Sequence, residues 1–232
     1  LALPRDPASA RQAPRAVTRP SRQLAEATAL GAAGAVLAGL SWSTVGLAAP
    51  AAVVGGANGV LSGARGVYGR DRAGALAFVL DSTWALATTT GSVGLHLVDG
   101  ALRASYLPEI SHRQNRHVYR GGFTPRRGYA VTVGNVISSA GDVSVDSRRR
   151  LVEEHEETHV WQARILGPLF APAYLGWSVI GAVIGAIQWL TFASPRPRLA
   201  SVVDRLAYRA NPFERWADRH PIRRGSIRPI GR

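Results

Sequence analysis

The sequence predicts a mainly α-helical membrane protein with a small β-hairpin ahead of a helix that carries an HExxH motif. Two of the observations behind this fold class are uncharged stretches, the 38 residues of 27–64 and the 31 residues of 165–195. Each exceeds the ~20 apolar residues that cross a bilayer as a helix. The third observation is an alternation in which Tyr129, Val131 and Val133 occupy every second position, as in a half-buried strand.

Composition limits the chemistry that is open to this chain. Its 28 basic residues, all of them arginine, exceed the 15 acidic residues and give a net charge of +13. Abundant Ala, Gly and Val accompany them, which is typical of a GC-rich coding bias. Few aromatic residues lie among the N-terminal arginines, which argues against a specific nucleic-acid partner. The sequence has no cysteine, which excludes disulfides, thiolate metal ligands and a catalytic thiol.

The N-terminal part consists of a tail and a helical hairpin. Residues 1–26 form an Arg- and Pro-rich tail that cannot build a hydrophobic core. As one straight helix, the uncharged stretch that follows would be about 57 Å long, against about 30 Å of hydrocarbon. We therefore expect a hairpin over 27–69 that turns near Pro50. Its second arm is rich in glycine, which predicts close helix packing in lipid.

A third apolar segment, residues 73–98, completes the membrane helices expected over 27–98. It contains Asp81, and a carboxylate inside a membrane is a candidate functional group. The alternative is that this segment packs inside the helical bundle and only partly enters the membrane.

The polar region 99–164 is expected to hold short strands and a helix. A strand over 129–133 is followed by a turn at 139–141, and residues 142–146 are predicted to return as the second strand. Ser147 is a plausible N-cap for the helix that follows.

Two further segments complete the chain. The apolar segment 165–195 is longer than one crossing requires and shorter than the ~40 residues of two crossings, so it either crosses once or re-enters on the same side. The basic region 196–232 carries ten arginines. Within it, Asn211 and Pro212 predict a helix start, with Asn as the cap and Pro at the first helical position.

The residues that carry chemistry are His155-Glu156-Glu157-Thr158-His159. Histidines four residues apart share one face of a helix and can bind Zn²⁺ together, while Glu156 can act as the general base for a zinc-bound water. Two alternatives stay open. In the first, the helix is solvated and its acidic residues offset the positive charge of Arg148–Arg150. In the second, the site binds a metal without catalysis.

A zinc peptidase needs a third ligand, and the best candidate is Glu214 in Glu214-Arg-Trp-Ala-Asp218. The order HExxH, apolar segment, ExxAD resembles the gluzincin metallopeptidases of the membrane heat-shock and CAAX-processing type. The resemblance covers residues 150–219. It implies zinc on His155, His159 and Glu214, with Glu156 as general base and Asp218 orienting a ligand histidine.

Glu214 also has a structural interpretation. It is the third residue after Asn211, so its carboxylate can instead close a capping box. If it is not the ligand, the candidates in the polar region are Glu109, Asp142, His112 and His117. His112, His117 and His220 otherwise have the character of ordinary surface residues.

Charge bias favours one topology. Arg-rich loops mark the cytoplasmic side. If 73–98 packs or dips without crossing and 165–195 re-enters on the same side, every Arg-rich segment lies there, together with the HExxH helix and Glu214. The sequence thus predicts a zinc metallopeptidase at the membrane surface, in a bacterial cytoplasmic membrane. The rival function is a non-catalytic subunit of a membrane complex, with Gly-rich packing helices and an Arg-rich partner-binding tail. Membrane lipids are expected partners in both cases.

Overall fold

The computed structural model describes residues 20–192 and 197–219. Most of the predicted tail, residues 1–19, lies outside the described residues, as do 220–232 with His220. Within the described ranges the chain is mainly helical with one small three-stranded sheet, which confirms this part of the predicted fold class.

The first two helices form a tightly packed antiparallel pair. Helix α1 runs over Pro20–Ser41 and α2 over Ala48–Arg65. Pro50 lies in the first turn of α2 rather than in the connection, a position where its missing N–H costs little. The helices touch through glycine, since a Cβ added at Gly63 would lie 2.6 Å from the Ala27 Cα. The glycines of the second arm therefore serve packing within this chain.

The third apolar segment is two helices rather than one. Helix α3 spans Arg72–Ser82 and α4 spans Leu86–Ala101. With 11 and 16 residues, each is shorter than the ~20 residues of a membrane-spanning helix. Asp71 caps α3 by accepting a hydrogen bond from the Gly74 N–H.

The sheet has the strand order β1-β3-β2, with β1 at His117–Val118, β2 at Val131–Val133 and β3 at Val136–Ser138. Strands β2 and β3 are antiparallel, and β1 runs parallel to β3. The predicted return strand at 142–146 is wrong. Gly134, at φ +53, forms a two-residue loop with Asn135 that returns the chain at once. The turn at 139–141 instead leads towards the next helix.

His117 was expected at the surface, and this prediction is wrong. Its side chain is fully buried, with Nε2 3.0 Å from the Ser62 Oγ. The His96 ring packs edge-on against it at a centroid distance of 4.4 Å. Pairing of β1 with β3 carries His117 beneath α2 and α4.

Residues 155–159, the zinc motif of the sequence analysis, lie in a long helical segment over Asp146–Thr191, which we call the rod. Ser147 lies inside its first turn, so the predicted cap is displaced by two residues to Val145. The rod changes hydrogen-bonding pattern along its length, and its parts are α5 (Asp146–Arg150), a π-helical segment (Leu151–Glu156), α6 (Glu157–Leu166), a 3₁₀ turn (Gly167–Leu169) and α7 (Phe170–Thr191).

The C-terminal region folds back along α7. It consists of α8 at Leu199–Asp204, a π-helical segment at Arg205–Arg209 and α9 at Pro212–Arg219. Close approach occurs at Gly181, where an added Cβ would lie 2.8 Å from the Ala207 Cα. This return brings α9 into contact with the helix that carries the zinc motif.

Two helices in the described ranges are long and apolar enough to cross a membrane, α1 and the rod. Their apolar side chains remain largely exposed. Along α7 the exposed residues are Leu175, Val179, Ile180, Val183, Ile184, Ile187 and Leu190.

A buried ion pair joins the rod to the first helices. The Arg164 guanidinium donates to both Asp81 oxygens at 2.9 and 2.8 Å, and both side chains are at most 2% exposed. The Tyr68 hydroxyl and the Asn135 amide also donate to this carboxylate. The Asn115 carbonyl accepts from Arg164. Asp81 is thus the centre of a polar network that links α3, α6 and the β2–β3 turn.

Removing this carboxylate should destabilise the fold strongly. Asp81→Ala leaves Arg164 buried without its counter-charge, a change that costs about 3–5 kcal/mol. Denaturant unfolding in detergent provides the measurement. Glu153→Gln removes a carboxylate from the exposed Arg149–Glu153 pair and should cost less than about 1 kcal/mol. Equal losses in the two variants would contradict the role assigned to Asp81.

Candidate metal site

The structure brings together the three predicted ligands, His155, His159 and Glu214, from two distant parts of the chain. The two histidine Nε2 atoms are 3.2 Å apart. The Glu214 oxygens lie 3.4 Å from each of them, Oε2 from His155 and Oε1 from His159. This cluster could hold a metal ion.

These separations match the edges of a tetrahedral site. Zinc bonds of about 2.0–2.1 Å place neighbouring tetrahedral ligands about 3.3–3.4 Å apart. The observed spacings of 3.2–3.4 Å therefore leave room for one ion at bonding distance from all three groups. Two imidazole nitrogens and a carboxylate oxygen form a donor set typical of catalytic zinc.

Both histidines are oriented by hydrogen bonds at their other ring nitrogen. The Asp218 Oδ1 lies 2.9 Å from the His155 Nδ1. The Gln162 Oε1 lies 2.8 Å from the His159 Nδ1. A proton on each Nδ1 leaves each Nε2 lone pair free for a metal. The Gln162 amide also donates to the Phe213 carbonyl at 3.0 Å, so it joins the zinc-motif helix to α9.

The helix cap at Asn211 does not use Glu214. The Asn211 Oδ1 accepts from the Phe213 N–H at 3.0 Å, while the Asn211 N–H donates to the Tyr208 carbonyl. The Glu214 carboxylate is turned towards the histidines instead. The reciprocal bond of a capping box is therefore absent here, and Glu214 is available as a ligand.

The surroundings of Glu214 favour its ionised form. Burial would raise the pKa of this carboxyl, but when His155 and His159 are protonated their hydrogen bonds to it outweigh burial and hold the pKa well below its usual range. The Tyr174 hydroxyl also donates to its Oε1 at 2.6 Å. A carboxylate that stays ionised at neutral pH suits metal binding.

Glu156 lies beside this cluster without joining it. Its side chain is buried, and its Oε2 accepts a hydrogen bond of 2.5 Å from the Thr132 hydroxyl on β2. It lines the same cavity as the three candidate ligands. A carboxylate held in this way can act on a molecule in the cavity rather than on the metal.

The cavity has a volume of about 470 Å³ and lies between β2 and the helices that carry the ligands. Residues Tyr129–Thr132 form one wall. Aromatic side chains form much of the other, and these are Phe170, Tyr174 and Tyr208. The Arg126–Asp204 ion pair, at 3.0 Å, joins the two walls.

The edge of β2 faces this cavity with free backbone groups. Thr132 is opposite Ile137 in the register. The Ile137 carbonyl accepts from the Tyr119 N–H on the β1 side, so Ile137 directs its backbone groups away from β2. In an antiparallel pair the opposite residue then also points away. The Thr132 N–H and C=O therefore lie on the open edge of the sheet.

The other candidate ligands lie elsewhere. They are Glu109 in a 3₁₀ turn, Asp142 paired with Arg120, His112 beside the Arg65 carbonyl, and the buried His117. None joins the metal cluster found among the described residues.

Sequence reasoning missed several groups around the site. Gln162 was detectable in principle, because it lies one helical turn after His159 on the same face. Thr132 and Tyr174 had no local signal, since each reaches the site through tertiary packing.

Comparison of the chain with protein-family models, with curated proteins and with solved structures finds no match.

A metal ion should co-purify with the protein at about one per chain. His159→Ala removes a ligand and should abolish binding, whereas His112→Ala, outside the cluster, should leave it intact. Elemental analysis of protein never exposed to chelator provides the test. A metal content that is the same in both variants would rule out this site.

The site also requires that both helices lie on one side of any membrane. The chain has no cysteine, so single cysteines placed at Arg150 and Arg215 can be labelled selectively. The two cysteines should behave alike towards an impermeant reagent. Both should react in intact cells, or both should react only after lysis. Opposite accessibility would show that Glu214 cannot share a metal with the histidines.

Proposed function

We propose that the protein is a zinc-dependent metallopeptidase whose site lies at a membrane surface. The observation that carries this proposal is the convergence of His155, His159 and Glu214 at tetrahedral spacing, with Glu156 beside them in an open cavity. A purely structural metal site has four protein ligands and is closed. Three protein ligands facing a cavity favour a catalytic role.

Zinc is the metal that this donor set fits best. Imidazole and carboxylate ligands at tetrahedral spacing are typical of zinc, while Mg²⁺ and Ca²⁺ favour six or more oxygen ligands. The chemistry that zinc supplies in such sites is polarisation of a carbonyl and acidification of bound water.

Glu156 is the proposed general base. The Thr132 hydroxyl holds one carboxylate oxygen at 2.5 Å and leaves the other available to accept a proton from water. The same carboxyl can then deliver the proton to the leaving amine. Tyr208 lines the cavity. Burial and the nearby Glu214 raise the pKa of its phenol above the usual range, so it remains a hydrogen-bond donor.

A polypeptide fits the cavity as an added strand. The N–H and C=O of Thr132, on the open edge of the sheet, can pair with an extended backbone. The Thr132 side chain contacts Glu156, so a peptide paired at this residue would lie beside the base. This arrangement supports hydrolysis of a peptide bond over hydrolysis of a small soluble ester.

The membrane part of the proposal rests on the two apolar helices. Helix α1 and the rod have the length and composition of membrane spans, and α7 leaves the site with an exposed apolar face. The layout resembles that of the membrane gluzincins, with one difference. A single helix and its shorter return take the place of a full helical pair between the two motifs. A bacterial cytoplasmic membrane is the location proposed.

The rival function is a non-catalytic subunit with Gly-rich packing helices and an Arg-rich partner-binding tail. The glycines at the α1–α2 contact face the same chain: an added Cβ at Gly55 would lie 2.6 Å from the Ala38 Cβ. A subunit role also does not account for the Thr132–Glu156 contact or for the cavity beside it.

The substitution Glu156→Gln separates catalysis from metal binding. It removes the base and keeps all three ligands, so the metal content should stay near one per chain. The rate of peptide hydrolysis should fall about 10²–10⁴-fold. Hydrolysis of a quenched fluorescent peptide library, with metal analysis of the same samples, provides the measurement.

Glu153→Gln is the matched control. This residue lies on the same helix, pairs with Arg149 at the surface and does not line the cavity. Its activity should equal that of the unmodified protein. If the Glu156→Gln variant is as active as the unmodified protein, Glu156 is not the general base. A metal-loaded protein that hydrolyses no peptide would favour the subunit role.

A further inference from the structure

A second cluster of charged groups lies apart from the metal site, at the α1–α2 end that is opposite the connection between these helices. Four basic side chains surround a shallow cavity of about 300 Å³, and they are Arg22, Arg70, His112 and Arg113. They come from three parts of the chain: the first turn of α1, the α2–α3 connection and the 111–115 turn. Sequence reasoning assigned no role to this combination.

The cluster has an excess of positive charge. Among the residues that the structure describes, Glu26 is the one acidic side chain that lines the adjoining cleft. Arg113 engages both of its oxygens, at 2.5 and 2.6 Å, and also donates to the Tyr68 carbonyl. Arg70 lies 3.8 Å from the same carboxylate and is 71% exposed. One carboxylate against three guanidiniums leaves two positive charges facing the cavity.

Backbone geometry holds the cluster in place. Arg113 and Asn115 adopt positive φ values of 57° and 60°. The Arg113 N–H donates to the Gly66 carbonyl, and the Asn115 N–H donates to the Val67 carbonyl. Strained residues such as these persist when surrounding contacts over-determine them. The turn therefore presents His112 and Arg113 at a fixed place beside α1.

The position of the cluster indicates what it binds. It lies at the first turn of α1, one of the two helices with the composition of a membrane span. The other end of the α1–α2 pair, residues 42–47, has no charged residue, and the exposed Val45 and Leu47 lie there. One end of the α1–α2 pair, the cationic pole, thus carries the basic cluster, and the other end is apolar. A helix with this asymmetry places its cationic pole at the lipid headgroups.

We propose that Arg22, Arg70, His112 and Arg113 form a binding site for the phosphate group of an anionic phospholipid. Guanidinium groups pair with phosphate oxygens through charge-assisted hydrogen bonds. The exposed Arg22 and Arg70 make the direct contacts. Arg113, fixed by Glu26, supplies the wall of the site. The proposal is independent of the metal site, because none of its residues lines the catalytic cavity.

The test is thermal unfolding of the detergent-purified protein, titrated with short-chain phosphatidylglycerol, with phosphatidylcholine and with inorganic phosphate. Only the anionic lipid should raise the melting temperature in a saturable way. Arg22→Gln combined with Arg70→Gln should raise the half-saturating lipid concentration about 30-fold, or about fivefold for each arginine. Lysine at both positions should retain most of the response.

Arg127→Gln combined with Arg150→Gln is the control, since both arginines are exposed and lie outside the cluster. This variant should respond as the unmodified protein does. An equal loss of response in the control would overturn the site in favour of general charge attraction. An equal response to inorganic phosphate would show that the site binds free phosphate rather than an anionic phospholipid, which would overturn the proposal.

Discussion

The Asp81 carboxylate is the point on which the arrangement of the zinc-motif helix depends. It accepts hydrogen bonds from Arg164 on α6, from Tyr68 ahead of α3 and from Asn135 in the β2–β3 turn. Burial of two charges is favourable only when their geometry satisfies both, so these partners fix one another. A helix anchored in this way has one allowed rotation about its axis.

That rotation directs the residues of the candidate metal site. Successive residues of an α-helix turn by about 100°, so His159 projects about 140° away from Arg164. Glu157 lies within about 20° of the Arg164 direction on the same rule, and it pairs with the buried Arg116. One face of α6 is therefore bonded into the bundle, while His159 on the other face lines the cavity. The π-helical segment Leu151–Glu156 adjusts the positions of His155 and Glu156, as such segments often do at functional sites.

Local signals in the sequence were sufficient for the parts of the site that lie within one helix. The spacing of His155 and His159 implied a shared face. Glu214, on the separate helix α9, was suggested by the resemblance to the order of motifs in the membrane gluzincins. The sequence did not reveal the Gly134 hairpin loop, the burial of His117, or the contact of Thr132 with Glu156. Each of these depends on how the small sheet packs against α2, α4 and α6. Strand pairing and packing between residues far apart in the chain leave little trace in local periodicity.

Helix α7 shows how an apolar segment can serve a polar site. Its sequence suggested a membrane segment alone, and its exposed apolar face retains that character. Yet Gly181 and Gly185 allow the return segment to lie against it, with the Val203 Cα 3.1 Å from a Cβ added at Gly185. Tyr174, in the first turns of α7, donates to Glu214, and Ser178 lies within reach of Asn211. Because α9 has only eight residues, it cannot hold Glu214 in place by itself. The apolar helix is therefore the scaffold that places Glu214, the third candidate ligand, beside the two histidines.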